Sequence, residues 1–451
     1  MKTILTVDFG STFTKVSAVC AEKAEIIGTA KAFTTIETDI RDGLNNALRE
    51  LESQTGKLEF TSRLAASSAG GGLKMVAVGL VPGLTAKAAS TAACSAGAKV
   101  VKTYAYELSH AEQQEIYDIN PDLILLSGGT DGGNKEVILH NAAKLAEIDQ
   151  NFATIIAGNK SVAQNVCDVL VRSGKDARVC DNVMPSFNTL EIMSAKNAIR
   201  DLFMEKIIEA KGLSEAAKMM SIPIIPTPLS VFEGAQVLSD SLGPILVVDV
   251  GGATTDVYSM CSGVPTLPNV GMKGLPEPFA KRTVEGDLGM RYSLDALVDA
   301  ASTAGRNMDD LDNISEFQAL CKANPSIVPD ANSPFHSYDE KICGLAIDMA
   351  VERHSGKLET AFSPHGEIFY QIGKDLSDVK YVIGVGGAII YSANPTSILQ
   401  YATTPPGNPY LKPINPKFLI DKKYIFSAMG LVSRVDKQLA IKIMEKDITE
   451  V

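Results

Sequence analysis

The fold of this chain is decided by the stretch ILTVDFGSTFTKV, residues 4–16. An apolar run ends at Asp8, the chain turns at Gly10, and a second run with alternating apolar residues follows, which predicts a β-hairpin. Glycine lets backbone N–H groups approach phosphate oxygens closely, so this turn is a candidate phosphate-binding site. The residues after the glycine would add hydroxyl donors and one positive charge; they are Ser11, Thr12, Thr14 and Lys15.

The same pattern occurs a second time, at residues 249–257, which read DVGGATTDV. Residues 8–16 align on it without gaps, with four identical positions. Two further glycine turns, 127–130 and 385–388, stand at similar distances into each half. Together these matches indicate that one α/β unit has been duplicated.

A carboxylate closes the first strand of each hairpin, at Asp8 and Asp249. Neither could touch a phosphate without repulsion, whereas Mg²⁺ keeps several waters and takes one or two protein carboxylates. We therefore expect both to be metal residues that hold water around Mg²⁺, and the two hairpins to clamp ATP or ADP between two lobes. Asp8, Asp249 and Asp256 are the candidate catalytic residues. Taken singly, either turn could be an ordinary β-hairpin; the tandem pair favours the clamp.

The predicted nucleotide contacts lie in turns that follow apolar strands. The turn at 384–387 suits packing of the backbone against adenine or ribose, although glycine after a strand is commonly only a tight turn. It lacks the later glycine of the dinucleotide fingerprint. Residues 70–72 form a flexible turn by default, or else a loop that faces a substrate or partner. The full predicted set is Gly10, Ser11, Thr12, Thr14, Lys15, Ser127, Gly128, Gly129, Thr130, Gly251, Gly252, Thr254, Thr255, Gly384, Gly386 and Gly387.

The overall composition excludes several classes of function. A formal net charge of −11, without any run of Lys or Arg, argues against nucleic acid as the main partner. No apolar stretch is long enough to span a membrane, and the apolar run before Asp8 is too short for a signal peptide. Seven dispersed cysteines without a C-x-x-C pair favour a reducing compartment. We expect a cytoplasmic protein.

Three regions follow from the alternation of apolar runs and helix-like segments. Residues 1–185 are predicted to form the first lobe, which a C-terminal helix at 431–451 would close. Residues 186–243 are predicted to be a helical connecting segment. Residues 244–430 are predicted to form the second lobe.

These motifs resemble those of the actin, sugar-kinase and heat-shock ATPase superfamily. Its two phosphate motifs are similar to residues 8–15 and 249–256, its adenosine motif to 384–387, and its connecting motifs to 127–131 and 427–430. The resemblance implies an α/β fold of duplicated ribonuclease H-like, actin-like ATPase domains, with ATP or ADP and Mg²⁺ in a cleft between two lobes.

Within that superfamily, the chain resembles the MutL/GlmL-type accessory proteins of coenzyme B12-dependent glutamate mutase and related aminomutases. The likeness covers essentially the full length and is most specific in four strings, residues 64–80, 181–185, 282–291 and 351–356. It implies an ATP-dependent reactivating chaperone that promotes release of damaged cobalamin from adenosylcobalamin-dependent mutase subunits. A small second subunit is compatible with this role. No cobalamin-ligating D-x-H-x-x-G segment is present.

One departure concerns turnover. The turn at 127–131 has no glutamate where several relatives place a water-orienting acid, so Asp131 substitutes or hydrolysis is slow. Nucleotide binding is therefore expected, and whether the chain is an ATPase stays open. Two alternatives remain: a small-molecule kinase, with Asp256 or Asp287 as the base, and a nucleotide-controlled filament or scaffold protein. His354 is expected to make a structural hydrogen bond or to lie on a helix surface.

Overall fold

The computed structural model describes residues 2–10, 13–35, 38–68, 74–207, 213–330, 332–364, 366–403 and 407–451. The chain forms two compact units. Unit 1 consists of Met1–Gly234, Gly274–Pro276 and Phe426–Ile443. Unit 2 consists of Ala235–Lys273, Glu277–Ile425 and Met444–Val451.

Strands and helices alternate along much of the chain, as the apolar runs predict. The strands are β1 (Thr3–Phe9), β2 (Phe13–Cys20), β3 (Glu25–Phe33), β4 (Ser62–Ser67), β5 (Lys74–Gly79), β6 (Lys99–Ala105), β7 (Leu123–Leu126), β8 (Ala153–Ile156), β9 (Asp176–Val179), β10 (Ile225–Pro226), β11 (Ile245–Val250), β12 (Thr255–Met260), β13 (Val270–Lys273), β14 (Ala280–Glu285), β15 (Lys357–Ser363), β16 (Gly366–Ile372), β17 (Tyr381–Val385), β18 (Lys417–Ile420) and β19 (Thr449–Glu450). The helices are α1 (Ile40–Thr55), α2 (Lys87–Ser95), α3 (His110–Ile119), α4 (Glu136–Ala146), α5 (Ala163–Arg172), α6 (Met193–Ile207), α7 (Leu213–Lys218), α8 (Thr227–Leu242), α9 (Leu294–Thr303), α10 (Ile314–Ala323), α11 (His336–His354), α12 (Gly387–Ile390), α13 (Pro395–Leu399), α14 (Phe426–Ser433) and α15 (Lys437–Asp447).

Helix α1 shows how local sequence sets these bounds. The Asp39 side chain accepts a hydrogen bond from the backbone N–H of Arg41 and so caps the first turn. Gly56, with φ of 71°, follows the last turn. Between them, Ile40 and Leu44 are among the apolar residues buried at helical spacing. Each such side chain contributes about 1.5–3 kcal/mol when it is fully buried.

Unit 1 contains a mixed five-stranded sheet in the order β10-β4-β1-β2-β3. Strands β1 and β2 are antiparallel, and Asp8 lies opposite Lys15. Strand β4 runs parallel to β1, and β10 runs parallel to β4. The core that packs on this sheet includes Leu5, Val7 and Phe9 from β1, because alternate residues of a strand point to the same face.

Unit 1 also contains a second sheet, in the order β6-β5-β7-β8-β9. All its strand pairs are parallel, and its central strands β7 and β8 are wholly buried. Parallel strands covered by helices on both faces are expected to be continuously apolar, as the run at 123–126 is. This order is that of a flavodoxin-like open sheet.

Unit 2 repeats the topology of the first sheet. Its large sheet has the order β14-β12-β11-β17-β18-β19. Strands β11, β12 and β14 are antiparallel neighbours, β17 runs parallel to β11, and β18 runs parallel to β17. The first five strands of this sheet, β14-β12-β11-β17-β18, therefore correspond in order and direction to β3-β2-β1-β4-β10 of unit 1. The predicted fold class, a duplicated ribonuclease H-like α/β architecture, is confirmed.

One correspondence predicted between the halves is wrong: the glycine turns at 127–130 and 385–388 are not equivalent. The turn at 385–388 follows β17, and β17 is equivalent to β4 because each runs parallel to the first strand of its hairpin. The counterpart of that turn is therefore the segment after Ser67. The turn at 127–130 follows β7, which belongs to the other sheet of unit 1. Spacing along the chain could not reveal this, because the parallel sheet inserted in unit 1 has no counterpart among the described residues of unit 2.

The compact units also differ from the predicted domain boundaries. Helices α6 and α7, which lie in the segment predicted to connect the lobes at 186–243, belong to unit 1, since Ala195, Ile199 and Leu213 pack into its core. The boundaries between the units fall inside α8 and α15. The helix predicted at 431–451 is two helices, because Asp436 accepts a hydrogen bond from the backbone N–H of Leu439 and caps the second one.

Two further observations concern the whole chain. All seven cysteines are free thiols, and five of them are buried. Among the described residues, no helix combines the length and the apolar character that a membrane crossing requires.

Candidate functional site

The two hairpin turns are built in the same way. The backbone N–H of Gly10 donates to the carbonyl of Phe13 at 3.1 Å, and that of Gly251 donates to the carbonyl of Thr254 at 2.9 Å. A Cβ on Gly10 would lie 2.6 Å from the Phe13 oxygen. Glycine is therefore needed there for close approach of the backbone. Asp249 lies opposite Asp256 in the register in which Asp8 lies opposite Lys15.

A loop at residues 286–293 holds the second turn from one side. The carbonyl of Gly251 accepts from the N–H of Met290, and the carbonyl of Gly252 accepts from the N–H groups of Arg291 and Tyr292. The carbonyl of Ala253 accepts from the Ser293 hydroxyl at 2.8 Å. Three successive carbonyls of the turn thus point into the loop.

This arrangement fixes the direction of the N–H groups. Because a trans peptide unit is planar, its N–H points opposite to its carbonyl. The N–H groups of Gly252, Ala253 and Thr254 are therefore directed away from the loop, on one side of the turn. Successive N–H groups that converge in this way form an anion-binding concavity. Residues 282–291 carry part of the family resemblance, and two of them, Met290 and Arg291, donate backbone hydrogen bonds that hold this turn.

Asp8 lies beneath the first turn and is half-buried. Its Oδ1 accepts a hydrogen bond of 2.6 Å from the Thr227 hydroxyl, at the first residue of α8. Burial raises the pKa of Asp8 above its ordinary value of 3.8, while the hydroxyls of Thr227 and Ser427 and the charge of Lys15 act in the opposite direction. The carboxylate is thus held by residues of unit 1 in the first turns of α8 and α14, Thr227 and Ser427.

These two helices, α8 and α14, cross in direct backbone contact. A Cβ on Gly430 would lie 1.8 Å from the carbonyl oxygen of Ser230, and one on Gly234 would lie 2.6 Å from that of Phe426. The Ser230 hydroxyl donates to the carbonyl of Ser427 at 2.6 Å. The crossing therefore fixes where the first turn of each helix meets Asp8.

In unit 2, the glycine turn after β17 packs against the end of β11. Gly386 has φ of 118°, and a Cβ there would lie 2.3 Å from the carbonyl oxygen of Val250. The next residue, Gly387, is less crowded: the nearest atoms to a Cβ there would be those of Val328, the Tyr424 hydroxyl and Tyr391, at the ordinary contact distances of 3.6–3.9 Å. Burial raises the pKa of Tyr424, and the charges of nearby acidic groups, including Asp421, raise it further.

Gly384 has a different role from its neighbours. It lies inside β17, and a Cβ there would come within 2.8 Å of the side chains of Ile389 and Leu399. Its lack of a side chain thus serves the packing of α12 and α13 on the sheet.

The candidate bases Asp256 and Asp287 are both in ion pairs. Arg282 donates to Oδ1 of Asp256 from Nε at 2.9 Å and from Nη2 at 2.6 Å. Arg353 donates to both oxygens of Asp287, at 2.7 and 2.9 Å, and this lowers the pKa of the Asp287 carboxyl. Arg353 also pairs with Glu285, whose pKa is raised by burial. These carboxylates brace β14 and the loop after it.

The Ser127 turn lies in the other sheet of unit 1. The Ser127 hydroxyl donates to the carbonyls of Val78 and Thr85, both at 3.1 Å. Gly128 and Gly129 have φ of 150° and 71°, which a tight loop requires. Thr130 follows them in the chain and accepts, through its carbonyl, the backbone N–H of the residue three positions on.

Asp131 is held firmly in the same loop. Its Oδ1 accepts from the Asn182 side chain at 3.0 Å and from the backbone N–H of Lys160 at 3.1 Å. Partial burial raises its pKa, but the hydrogen bonds and the charge of Lys160 outweigh it, so the net pKa is lowered. Asp131 thus stabilises the loop.

Other predicted hydroxyls have partners inside their own unit. Thr14 lies 3.1 Å from the hydroxyl of Thr34, and the Thr255 hydroxyl donates to the carbonyl of Leu288 at 2.6 Å. The Thr254 hydroxyl donates to Asp256 at 3.1 Å. Ser11, Thr12 and residues 70–72 lie outside the described residues. The nucleotide roles predicted for all these residues stay predictions.

His354 is fully buried at the end of α11. One ring nitrogen lies 2.8 Å from the Thr283 hydroxyl and the other 2.8 Å from the Ser259 hydroxyl. Burial, with the nearby charges of Lys281 and Lys374, holds its pKa well below 6.5. Of the two alternatives expected for His354, the structure shows the structural hydrogen bond and not the position on a helix surface.

No cluster of three or more His, Cys, Asp or Glu that could hold a metal occurs within the described ranges. Each turn has a single carboxylate beside its glycine, Asp8 in unit 1 and Asp249 in unit 2. A single carboxylate fits Mg²⁺, which retains most of its waters and takes few protein ligands.

Sequence reasoning did not find Thr227 or Ser230 as parts of the site, and it named Asp287 in the loop at 286–293 only as a candidate base. The signal for Thr227 was present, since a Thr after β-strand Pro226 and before an apolar helical run is an N-terminal helix signature. Nothing in the sequence indicated that this helix begins beside Asp8.

Comparison with known proteins shows the family of this chain. The family model described as MutL protein matches residues 4–448. The chain belongs to the MutL protein family. A curated MutL protein from Clostridium tetanomorphum is 46% identical over 463 residues and covers 100% of both chains. MutL family membership thus extends over both units and both turns.

Solved structures give weaker likenesses. Acetone carboxylase without nucleotide shares 13% identity at a TM-score of 0.41 and covers 95% of this chain and 70% of its own. Xylulose kinase from Bifidobacterium adolescentis shares 12% sequence identity at a TM-score of 0.32, and the match covers 100% of this chain and 95% of the kinase. Component A of Acidaminococcus fermentans (R)-2-hydroxyglutaryl-CoA dehydratase shares 10% sequence identity at a TM-score of 0.31, and the match covers 99% of each chain. Nothing about the activity of this MutL family member follows from likenesses at that level.

Proposed function

We propose that this protein binds ATP or ADP with Mg²⁺ and serves as an accessory protein to an adenosylcobalamin-dependent aminomutase of the glutamate mutase type, where it promotes release of damaged cobalamin. One observation carries the nucleotide part: the two turns share the same internal hydrogen bond, and the second directs three successive N–H groups to one side. Membership of the MutL family supports the accessory role.

The metal would be held through water by Asp8 and Asp249. Mg²⁺ would supply charge neutralisation of the phosphate oxygens. Asp8 suits this role because the Thr227 hydroxyl orients one of its oxygens. The N–H groups of Gly252, Ala253 and Thr254 would receive phosphate oxygens directly.

The adenosine would lie against Gly387. A Cβ at that glycine would make no contact closer than 3.6 Å, and the nearby Tyr391 is 68% exposed. A flat base can pack on a backbone without a side chain and stack on an exposed aromatic ring. The turn at 386–387 would thus contact adenine or ribose, while the hairpin turns contact phosphate.

Turnover is expected to be slow. The three carboxylates that could activate a water or an acceptor hydroxyl all have other partners: Asn182 and Lys160 bind Asp131, Arg282 binds Asp256, and Arg353 binds Asp287. A general base needs its oxygen available to the proton it removes. These pairs favour a nucleotide-dependent change of shape over a kinase reaction, and the free thiols suit a reducing cytoplasm.

Titration calorimetry with ADP, with and without Mg²⁺, tests the nucleotide site. Asp8→Asn and Asp249→Asn keep the side-chain shape and remove the charge, and each should weaken Mg²⁺-dependent binding at least tenfold, or about 1.4 kcal/mol. Asp118→Asn, on the exposed surface of α3, is the matched control and should bind as the parent does. Unchanged binding in both site variants would refute the proposal.

A separate assay tests the accessory role. A glutamate mutase inactivated with cyanocobalamin is incubated with this protein, ATP, Mg²⁺ and adenosylcobalamin. We expect release of the inactive cobalamin, followed by absorbance, and recovery of mutase activity, with neither in the Asp8→Asn variant. If the protein binds nucleotide but the mutase recovers no activity, the proposed role toward glutamate mutase is refuted, while the proposed nucleotide site is not.

A further inference from the structure

The parallel sheet of unit 1 has a groove at one end of its strands. The groove has a volume of about 980 Å³ and lies where β7, β8 and β9 end. Its lining includes Asp131 after β7, Lys160 after β8, and Val179 and Cys180 at the end of β9. Open α/β sheets bind their ligands outside the carboxyl ends of the strands. This groove is in that position, in a sheet that the nucleotide proposal does not use.

Helix α6 forms one wall of the groove. Met193, Asn197, Ala198 and Asp201 line it from one helical face. The opposite face of the same helix, with Ala195, Ile199 and Leu202, is buried in the core. The position of this wall is therefore fixed by core packing, and its groove-facing side chains are presented on a rigid element.

Large apolar side chains around the groove are exposed. Met193 is 58% exposed and Val179 is 46% exposed. Phe187, two residues beyond the lining residue Pro185, is 71% exposed. Exposed apolar side chains grouped beside polar ones are typical of surfaces that bind other proteins. A small-molecule site, in contrast, would enclose most of its ligand behind a mainly apolar wall.

The charges around the groove have one dominant sign. Its described lining contains four carboxylates, those of Asp131, Asp181, Glu191 and Asp201, and a single cation, Lys160. Lys160 lies 3.4 Å from Asp131, and Arg200, outside the lining, lies 3.9 Å from Asp201. Asp181 and Glu191 have no ion pair within the described part of the chain. Two carboxylates thus remain available to an incoming cation.

We propose that this groove docks a basic, partly apolar segment of a partner protein. Lys or Arg side chains of the segment pair with Asp181 and Glu191, and its apolar side chains pack on Met193 and Val179. Charge complementarity selects the partner and speeds its encounter, while the apolar contacts supply affinity. This inference stands independently of the nucleotide site.

The test uses the full-length protein and labelled peptides in fluorescence anisotropy. The probe is a nine-residue peptide of alternating lysine and leucine, compared with a glutamate–leucine peptide and a lysine–glycine peptide. Salt of about 150 mM limits charge interactions to roughly 8 Å, which suppresses attraction by the net negative charge as a whole. Spermidine serves as a small polycation without apolar groups.

The variants separate the groove from bulk charge. Asp181→Asn with Glu191→Gln should weaken lysine–leucine binding by about five- to tenfold, as expected for two exposed ion pairs. Glu59→Gln with Asp118→Asn removes the same charge from exposed positions elsewhere in unit 1 and should leave binding unchanged. Met193→Ser should weaken binding of the lysine–leucine peptide but not that of the lysine–glycine peptide. All these positions are exposed, so circular dichroism should show the parent fold in each.

Three results would overturn the proposal. The first is equal weakening by the control pair, which would reduce the effect to net charge. The second is absence of lysine–leucine binding, or binding that the groove variants leave unchanged. The third is spermidine binding as tightly as the peptide, which would make the groove a site for small cations.

Discussion

The Thr227 hydroxyl donates a 2.6 Å hydrogen bond to Oδ1 of Asp8, although 219 positions separate the two residues in the chain. Thr227 is the first residue of α8, and the backbone contact between Ser230 and Gly430 fixes that helix against α14. The orientation of the Asp8 carboxylate is therefore decided by the way two distant helices pack, and not by the hairpin alone.

Replacing Thr227 with Val removes this hydrogen bond and keeps the β-branched shape. We expect Mg²⁺-dependent ADP affinity to fall by about tenfold or more, since a hydrogen bond to a charged group is worth about 1.5–3 kcal/mol and about 1.4 kcal/mol corresponds to a factor of ten. ADP binding without Mg²⁺ should change little. Thr227→Ser retains the hydroxyl and should restore affinity. Titration calorimetry in both conditions measures the effect; equal loss with and without Mg²⁺ would point to a general structural defect.

Acid should weaken Mg²⁺-dependent binding at a higher pH than an ordinary aspartate would allow. Burial raises the pKa of Asp8 above 3.8, so the carboxyl is protonated, and lost to the metal, while ordinary aspartates are still charged. The Thr227 hydroxyl lowers this pKa. In Thr227→Val, the midpoint of the affinity profile should therefore lie at higher pH than in the parent.

The effect of the same proton on stability has the opposite sign. A carboxyl whose pKa is raised in the folded state costs stability where it is ionised, and acidification through that pKa relieves the cost. Loss of binding should thus appear while the fold, followed by circular dichroism, persists. A midpoint at the ordinary aspartate value in both proteins would contradict the assignment to Asp8.

Gly430→Ala tests the helix crossing. The new Cβ would lie 1.8 Å from the carbonyl oxygen of Ser230, so the helices must separate. Overpacking of this kind costs about 1–3 kcal/mol, and a backbone obstacle favours the upper part of that range. Gly83→Ala, where a Cβ meets nothing within 4 Å, is the control. Urea unfolding should show a lower midpoint for the first variant alone; equal midpoints would mean that the crossing adjusts without cost.

Stability at mildly acidic pH should depend on His354. Its pKa is lowered in the folded state, so below pH 6.5 the unfolded chain binds a proton that the folded chain does not. Stability from this residue is therefore lost as pH falls, with a slope of up to about 1.4 kcal/mol per pH unit. His354→Gln should be less stable at pH 7, because it loses bonds to Thr283 and Ser259.

The comparison of two pH values isolates this residue. Urea unfolding at pH 7 and at pH 5.5 should show a smaller loss of free energy in His354→Gln than in the parent. Lys281 and Lys374, whose charges face the ring, are present in both proteins and cancel in the difference. The same loss in both would assign the pH dependence to other groups.

The sequence by itself determined the two hairpins, their glycine turns and the duplication that relates them. Those features are local: strand, turn and strand follow one another, and the hydrogen bonds from Gly10 to Phe13 and from Gly251 to Thr254 span three residues. It also sufficed for the fold class and for the family resemblance.

Only the tertiary structure decided which groups surround those turns. The Thr227 contact with Asp8, the Arg282 pair that occupies Asp256, and the loop whose N–H groups hold Gly251 and Gly252 all join segments distant in sequence. Strand pairing also showed that the turn after Leu126 follows a strand of the parallel sheet and not of the sheet that contains the first hairpin. Such contacts depend on how sheets and helices pack, because burial and close backbone approach act through space and leave no fixed spacing along the chain.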